Sequence, residues 1–152
     1  MPHLVLVNPQ IPPNTGNIAR TCAATKTDLH LVKPLGFEIT DRYLKRAGLD
    51  YWPYVKLHIH ESIEDLLEIQ RQQNSRWVGF TVRGASPFQD FSFQEDDWLL
   101  FGSETEGLPA IALDHCAAKL YIPMREPGVR SLNLSVSVAA GLCEVYRQIG
   151  WD

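Results

Sequence analysis

The sequence predicts an α/β fold, with a mostly parallel sheet covered by helices on both faces. Short continuous apolar runs recur along the chain, and such runs are typical of strands that are buried on both sides. Segments with helical periodicity lie between them, and strands that alternate with helices form parallel sheets. The chain has 152 residues, which is enough for one domain with a sizeable core and few for two. We therefore expect a single domain over residues 1–152.

The composition limits the classes of function. Hydrophobic residues make up 45% of the chain and charged residues 21%, as in ordinary globular proteins. The formal net charge of −4 argues against binding of nucleic acid through overall charge, although it allows a local basic patch. We expect no membrane span and no signal peptide, because the apolar runs are too short and lack the flanking pattern. Three scattered cysteines, Cys22, Cys116 and Cys143, predict reduced thiols in a cytoplasmic protein.

The first candidate site follows the first predicted strand. Residues 3–8 form an apolar run that ends in a polar residue, and the proline-rich residues 9–17 predict a loop. The helix predicted next, over residues 18–24, would carry Arg20 in its first turn, where a cation opposes the helix dipole. Because α/β proteins place their sites in loops after strands, Arg20 is a candidate functional residue. An exposed structural arginine is the alternative.

A basic segment and an aromatic segment come next. Residues 41–47 predict a short helix that presents Arg42, Lys45 and Arg46 to one side, and residues 49–54 predict an aromatic loop. Cations beside aromatic rings suit a nucleic-acid strand, because the cations can bind phosphates and the rings can stack on bases. The alternative is a solvated helix beside a packed turn.

The remaining elements continue the alternation. Strands are predicted over residues 29–32, 55–60, 77–82, 98–101 and 119–122, with a polar loop over residues 83–87. Helices are predicted over residues 62–70, with Ser62 as the N-cap, and over residues 110–115. His58 and His60 share one side of a predicted strand. Since no third metal ligand lies at a recognisable spacing, we predict no metal site.

The loop after the strand at residues 98–101 excludes two nucleotide-binding classes. Gly102 and Gly107 have the spacing of a P-loop, but Leu108 and Pro109 stand where Lys and Ser or Thr are required. The carboxylate of Glu104 would also repel phosphate. No GxGxxG motif occurs, so the chain lacks the fingerprint of a dinucleotide-dependent oxidoreductase.

The last element is predicted to be a helix that begins near Asn133. Polar and apolar residues alternate over residues 131–138, which taken alone would suit a strand. The pattern is lost over residues 139–146, and the segment runs on to Gly150, a candidate helix C-cap. The first turn of such a helix offers free backbone N–H groups to a polar ligand. A capped core helix without a ligand is the alternative.

Three stretches together resemble the SPOUT superfamily of S-adenosylmethionine-dependent RNA methyltransferases. They are residues 14–20 (NTGNIAR), residues 99–109 (LLFGSETEGLP) and residues 122–135, which begin Ile-Pro-Met and end Ser-Leu-Asn-Leu-Ser. They occur in the order expected of that superfamily, and the likeness covers essentially the whole chain. The small size and the opening residues 8–17 are similar to the branch that methylates the ribose of the wobble cytidine or uridine of tRNA.

The resemblance implies the fold, the cofactor and the partners. It implies a C-terminal deep trefoil knot, S-adenosylmethionine as the cofactor, the tRNA anticodon loop as the substrate, and no metal. It also implies a homodimer with motif residues of both chains near one site, and the small residues 137–141 would permit close packing between copies. The alternatives are an enzyme that methylates another RNA, such as rRNA, and a non-catalytic RNA-binding protein with the same fold.

The resemblance also assigns candidate roles to residues of this sequence. The implied catalytic residues are Arg20, Ser131 and Asn133. The implied cofactor-binding residues are Phe80, Thr81, Gly102, Glu104, Ile122, Ser131, Leu132 and Asn133. The implied RNA-binding residues are Asn14, Arg20, Arg42, Lys45, Arg46 and Arg130. Because a guanidinium stays charged near neutral pH, we expect Arg20 to orient the 2′-hydroxyl and stabilise developing negative charge rather than act as a base.

Overall fold

The computed structural model describes residues 1–39 and 50–152, and within them seven strands form one sheet. Every neighbouring pair of strands is parallel, in the order β3-β2-β1-β6-β4-β7-β5. The predicted mostly parallel sheet is therefore confirmed. The strands are β1 His3–Val7, β2 Asp28–Val32, β3 Leu57–His60, β4 Trp77–Phe80, β5 Ser86–Pro87, β6 Trp98–Phe101 and β7 Ala118–Tyr121.

Helices cover both faces of the sheet, as predicted. They are α1 Pro12–Ala24, α2 Ile63–Gln73, α3 Ala110–Leu113 and α4 Leu134–Ile149. Alternate residues of β1 show the two layers. Leu4 is buried in the core that α1 and α4 cover, whereas Val5 is buried in the core that α2 and α3 cover. Strands buried on both sides read as continuous apolar runs, which is why the sequence predicts them well.

Helix α1 begins six residues earlier than predicted, so the loop predicted over residues 9–17 is wrong from residue 12 onward. Pro12 and Pro13 occupy the first helical positions, where a missing N–H costs nothing because it would have no partner within the helix. The prediction treated these prolines as helix breakers. As a result, Arg20 lies in the third turn of α1, and the argument from its position in a first turn is wrong.

The polar loop predicted over residues 83–87 ends in a short edge strand. Ser86 and Pro87 pair with β7 in parallel register. Gly84 permits this approach, because a Cβ atom there would lie 2.4 Å from the backbone carbon of Leu120. A two-residue strand at a sheet edge has no apolar run of its own, so periodicity does not predict it.

Both ends of α4 agree with the prediction. The side chain of Asn133 accepts a hydrogen bond from the backbone N–H of Ser135, and Gly150 ends the helix with a φ of 98°.

Ser62 caps α2 as predicted, since its side chain accepts from the N–H of Asp65. The helix predicted over residues 41–47 lies outside the described residues.

None of the helices in the described part of the chain is long and apolar enough to cross a membrane. The trefoil knot and the single domain over residues 1–152 stay predictions.

Candidate cofactor and substrate cleft

A cleft of about 900 Å³ opens at the carboxyl ends of β4, β6 and β7. Parallel sheets place their sites at this edge, because the loops that leave neighbouring strands converge there. The segment before α4 forms another wall. The structure brings together all the residues named as cofactor-binding: Phe80, Thr81, Gly102, Glu104, Ile122, Ser131, Leu132 and Asn133.

Aromatic rings form the apolar floor of the cleft. The rings of Phe80 and Phe101 stack with their centroids 4.5 Å apart. Gly141 of α4 packs on them, since a Cβ atom at this position would lie 3.2 Å from Phe80 and 3.3 Å from Phe101. Gly141 is therefore used within the core of its own chain. The expectation that residues 137–141 serve close packing between copies does not hold for this glycine.

The loop after β6 is a tight turn that needs its first glycine. A Cβ atom on Gly102 would lie 1.9 Å from the carbonyl carbon of Gly107 and 2.1 Å from the nitrogen of Leu108. Gly107 has a φ of +71°, which favours glycine. The hydroxyl of Ser103 accepts a hydrogen bond from the N–H of Glu106 at 3.0 Å. This loop therefore presents its backbone to the cleft in a fixed shape.

A chain of hydrogen bonds joins the three motif stretches. The carboxylate of Glu104 accepts from the backbone N–H groups of Gln10 and Ile11, each at 2.9 Å, and so holds the start of α1. It also accepts from the side-chain amide of Asn14 at 3.2 Å. The Asn14 side-chain oxygen in turn accepts from the amide of Asn133 at 3.2 Å. Glu104 therefore fixes the loop after β6 against α1, and Asn14 extends that link to α4.

Two of the proposed RNA-binding residues line the cleft, and Arg20 does not. Asn14 and Arg130 contribute to its walls. A helical rise of 1.5 Å per residue places Arg20 about 9 Å along α1 from Asn14. The guanidinium of Arg20 lies over the ring of Tyr51, 5.7 Å from its centroid, and the Tyr51 hydroxyl donates to the carbonyl of Gly16 at 2.9 Å. Within one chain, the structure does not bring Arg20 to the cleft.

Burial raises the pKa of the Tyr51 hydroxyl, and the nearby Arg20 cation partly offsets the effect. Tyr51 is therefore a neutral hydrogen-bond donor at neutral pH. It serves as a platform for Arg20 and has no role as a proton acceptor in this state.

Sequence reasoning missed two cations of the cleft, Arg83 and Lys119. Arg83 lies three residues beyond the end of β4, and its position in the loop after a buried strand was an available signal. Lys119 lies inside β7, where the sequence does not show which end of the sheet the side chain reaches. The basic residues Arg42, Lys45 and Arg46 lie outside the described residues.

Comparison with known protein families identifies the family to which the chain belongs. The model of the SpoU rRNA Methylase family matches residues 1–143. The chain belongs to this family. The resemblance drawn from residues 14–20, 99–109 and 122–135 is therefore confirmed.

Relatives within the SpoU methylase family match along almost the whole chain. A protein from Burkholderia ambifaria named tRNA (cytidine(34)-2′-O)-methyltransferase is 44% identical over 152 residues, which covers 99% of this chain and 97% of the relative. A protein from Synechocystis sp. to which the same name is assigned provisionally is 60% identical over 149 residues. The match covers 98% of this chain and 97% of the relative.

Solved structures of other proteins share the fold. A structure described as giving insights into the 2-OH methylation of C/U34 on tRNA has a TM-score of 0.93 and 48% identity, and the match covers 98% of this chain and 96% of that one. The SpoU methyltransferase AviRb from Streptomyces viridochromogenes, in complex with the cofactor AdoMet, has a TM-score of 0.85 and 25% identity. That match covers 97% of this chain and 57% of AviRb.

Proposed function

We propose that this protein transfers a methyl group from S-adenosylmethionine to the ribose 2′-hydroxyl of the wobble nucleotide of tRNA. The observation that carries the proposal is full-length similarity, at 44% to 60% identity, to proteins that bear the name of this activity. The solved structure with a TM-score of 0.93 concerns methylation of C/U34 on tRNA, so it supports the same nucleotide.

The cleft fits S-adenosylmethionine in size and chemistry. A volume of about 900 Å³ lies within the usual range for ligand sites, which combine apolar walls with a few placed polar groups. Phe80, Ile122 and Leu132 offer an apolar surface to the adenine ring, and the loop beginning at Gly102 offers backbone groups. Glu106 lines the cleft and places negative charge near a cationic ligand. S-adenosylmethionine, when bound, supplies an electrophilic methyl group on a sulfonium centre.

The protein's own residues contribute mainly position and electrostatics. Asn133 is held by Asn14 and by the backbone N–H of Ser135, so the segment before α4 is fixed at the mouth of the cleft. The exposed hydroxyl of Ser131 lies in this segment and can hydrogen-bond the ribose. Holding two reacting groups at the correct distance and angle supplies much of the acceleration of such transfers.

Arg20 completes the site only if it comes from a second copy of the chain. It lies about 9 Å along α1 from Asn14, the residue of α1 that lines the cleft. In a homodimer, Arg20 of one copy would orient the 2′-hydroxyl in the cleft of the other and stabilise the negative charge that develops on its oxygen. This arrangement accounts for an exposed arginine that stacks on Tyr51 and stays away from its own cleft.

The enzyme is expected to be a homodimer in solution. Sedimentation equilibrium at micromolar concentration should give twice the mass of 17.2 kDa. A monomeric mass across that range would remove the basis for sharing Arg20 between two clefts.

Cofactor binding is expected to need no metal, because the cleft walls, as far as the structure describes the chain, supply apolar, amide, carboxylate and basic groups but no cluster of His and Cys ligands. Calorimetric titration of S-adenosylmethionine in the presence of EDTA should show saturable binding. Binding that appears only after a divalent ion is added would contradict the prediction.

Binding of tRNA is expected to depend on local cations despite the net charge of −4. Replacing Arg42, Lys45 and Arg46 together with Ala should weaken tRNA binding and flatten its salt dependence, because fewer counterions are released. Affinity for S-adenosylmethionine should stay the same. Filter binding at several salt concentrations measures the effect. If tRNA affinity is unchanged, these residues form a solvated face.

Methylation of tRNA in vitro tests the proposed function directly. Total tRNA that lacks the wobble 2′-O-methyl group is incubated with the protein and labelled S-adenosylmethionine, and the labelled nucleotide is mapped. We expect label on the wobble ribose. Label at another position of tRNA, or none, would contradict the proposal.

Methylation of rRNA is the alternative that the family name raises. One observation favours tRNA over rRNA. The chain covers 56% of an rRNA methyltransferase from Sinorhizobium meliloti, but 96% of the structure concerned with C/U34 on tRNA. Ribosomal RNA in the same assay provides the comparison.

A further inference from the structure

Four histidines gather on the sheet face that α2 and α3 cover. They come from three neighbouring strands: His3 from β1, His30 from β2, and His58 and His60 from β3. Asp28, at the start of β2, lies beside them. The cleft opens at the carboxyl ends of the strands, whereas His3 and Asp28 occupy the amino ends of β1 and β2. The cluster is therefore separate from the methyl-transfer site.

The ring nitrogens of three histidines form a continuous line. His3 Nδ1 lies 2.9 Å from His30 Nε2, and His30 Nδ1 lies 2.9 Å from His60 Nε2. The nearest oxygen of Asp28, Oδ2, lies 3.0 Å from His58 Nε2. One ligand atom each from His3, Asp28 and His30 lies within 4.8 Å of the other two, the one such group of metal-ligating side chains in the described residues.

His30 is held in place on several sides. Its side chain is buried, with 4% exposure. Its ring stacks on His58 with centroids 4.5 Å apart and packs at an angle against Trp98 at the same separation. A ring fixed by packing keeps its nitrogens in fixed directions, which is the condition for a preorganised ligand.

The hydrogen-bond partners allow the tautomer that a metal ligand needs. If His30 donates its Nδ1–H to His60, its Nε2 carries a lone pair that points to Nδ1 of His3. Histidines that bind metals usually donate their second ring N–H to such an outer partner. His3 and Asp28 are only partly buried, so an ion has access from solvent.

We propose that His3 Nδ1, His30 Nε2 and the Asp28 carboxylate form a binding site for one divalent transition-metal ion, with His60 as the outer hydrogen-bond partner of His30. Two imidazoles and one carboxylate suit Zn²⁺, Co²⁺ or Ni²⁺ rather than Mg²⁺ or Ca²⁺, which prefer oxygen ligands alone. Metal–nitrogen bonds of about 2.0 Å in tetrahedral geometry require His3 Nδ1 and His30 Nε2 to be roughly 3.3 Å apart. The ring of His3, at the start of a strand, needs to shift by a few tenths of an ångström from its present 2.9 Å separation.

The ion would tie β1 to β2 and stabilise the folded chain. Any ligand that binds only the folded state raises the melting temperature, and the rise grows with the logarithm of ligand concentration over Kd. The site lies at the opposite end of the strands from the cleft, so the ion has no part in methyl transfer.

Metal titration of the full-length protein tests the site. After EDTA treatment and dialysis, calorimetry with Zn²⁺ should show one saturable equivalent, and Zn²⁺ should raise the melting temperature. Co²⁺ should give visible absorption bands typical of a low-coordinate nitrogen and oxygen site. The absence of a saturable equivalent and of these bands in the parent protein would overturn the proposal, whatever the variants do.

Variants locate the ion. Asp28→Asn keeps the shape of the side chain and removes its charge, and His3→Gln removes a ligand at the half-buried start of β1. Each should weaken Zn²⁺ binding by at least tenfold and reduce the rise in melting temperature at the same Zn²⁺ concentration. His60→Ala, which removes the outer partner, should weaken binding by about 10 to 100-fold. The matched control is His115→Gln, an exposed histidine outside the cluster, which should bind as the parent does. Parent affinity in both Asp28→Asn and His3→Gln would overturn the proposed ligand set.

Discussion

Arg20→Ala is expected to lower the single-turnover rate of methyl transfer by on the order of a hundredfold or more, the typical loss when one donor to a developing oxyanion is removed. Affinity for S-adenosylmethionine should stay almost unchanged, because we assign Arg20 to the ribose hydroxyl, whereas other residues form the cleft that holds the cofactor. Arg20→Lys should restore little of the rate. An ammonium keeps the charge but lacks the planar fork that can hold the ribose oxygen and a neighbouring phosphate together.

The matched control for Arg20 is Arg71→Ala on α2, which removes an exposed arginine paired with Glu68 on the surface. It should methylate at the parent rate. A folded Arg20→Ala variant that methylates tRNA near the parent rate would make Arg20 a structural residue of α1, and the role we assign to it would be wrong.

Gly102→Ala is expected to weaken S-adenosylmethionine binding by about a hundredfold. The added methyl group would lie 1.9 Å from the carbonyl carbon of Gly107, so the turn must open and its backbone must leave the cleft wall. Overpacking typically costs about 1–3 kcal/mol, and each 1.4 kcal/mol is tenfold in affinity. Calorimetry measures the loss, and circular dichroism shows whether the sheet remains folded.

Gly128→Ala is the matched control for Gly102→Ala. Its Cβ atom would lie 3.1 Å from Glu126 Oε1, the end of a flexible side chain that can move away. This variant should bind S-adenosylmethionine as the parent does. Parent affinity in Gly102→Ala would show that the turn does not shape the cofactor site.

The sheet could be predicted from the sequence because its central strands are buried on both sides. Residues 98–101 are apolar without interruption and form β6 with the predicted bounds. Helix α4 was also predictable, since Asn133 and Gly150 mark its two ends. The start of α1 was not predictable. Proline breaks the interior of a helix but is tolerated in the first turn, and the sequence alone does not show which of these two positions Pro12 occupies.

The hydrogen bonds at the cleft and the contacts within the histidine cluster join residues that are far apart in the sequence, so they depend on tertiary structure. Glu104 and Asn14 are 90 residues apart in the chain, so their hydrogen bond leaves no local pattern. The sequence predicted that His58 and His60 share one side of a strand. The other two histidines, His3 and His30, come from β1 and β2, which lie beside that strand in the sheet. His30 lies opposite His58 because β2 and β3 pair in parallel register, and a single sequence does not specify that register.

The most direct measurement of the central claim uses tRNA that lacks one hydroxyl. Two full-length tRNA substrates are prepared, one with a 2′-deoxyribose at the wobble nucleotide and one with a 2′-deoxyribose at another nucleotide of the anticodon loop. With labelled S-adenosylmethionine, we expect no transfer to the first and transfer at the parent rate to the second. Transfer to the tRNA without the wobble 2′-hydroxyl would contradict the assignment of this enzyme to that oxygen.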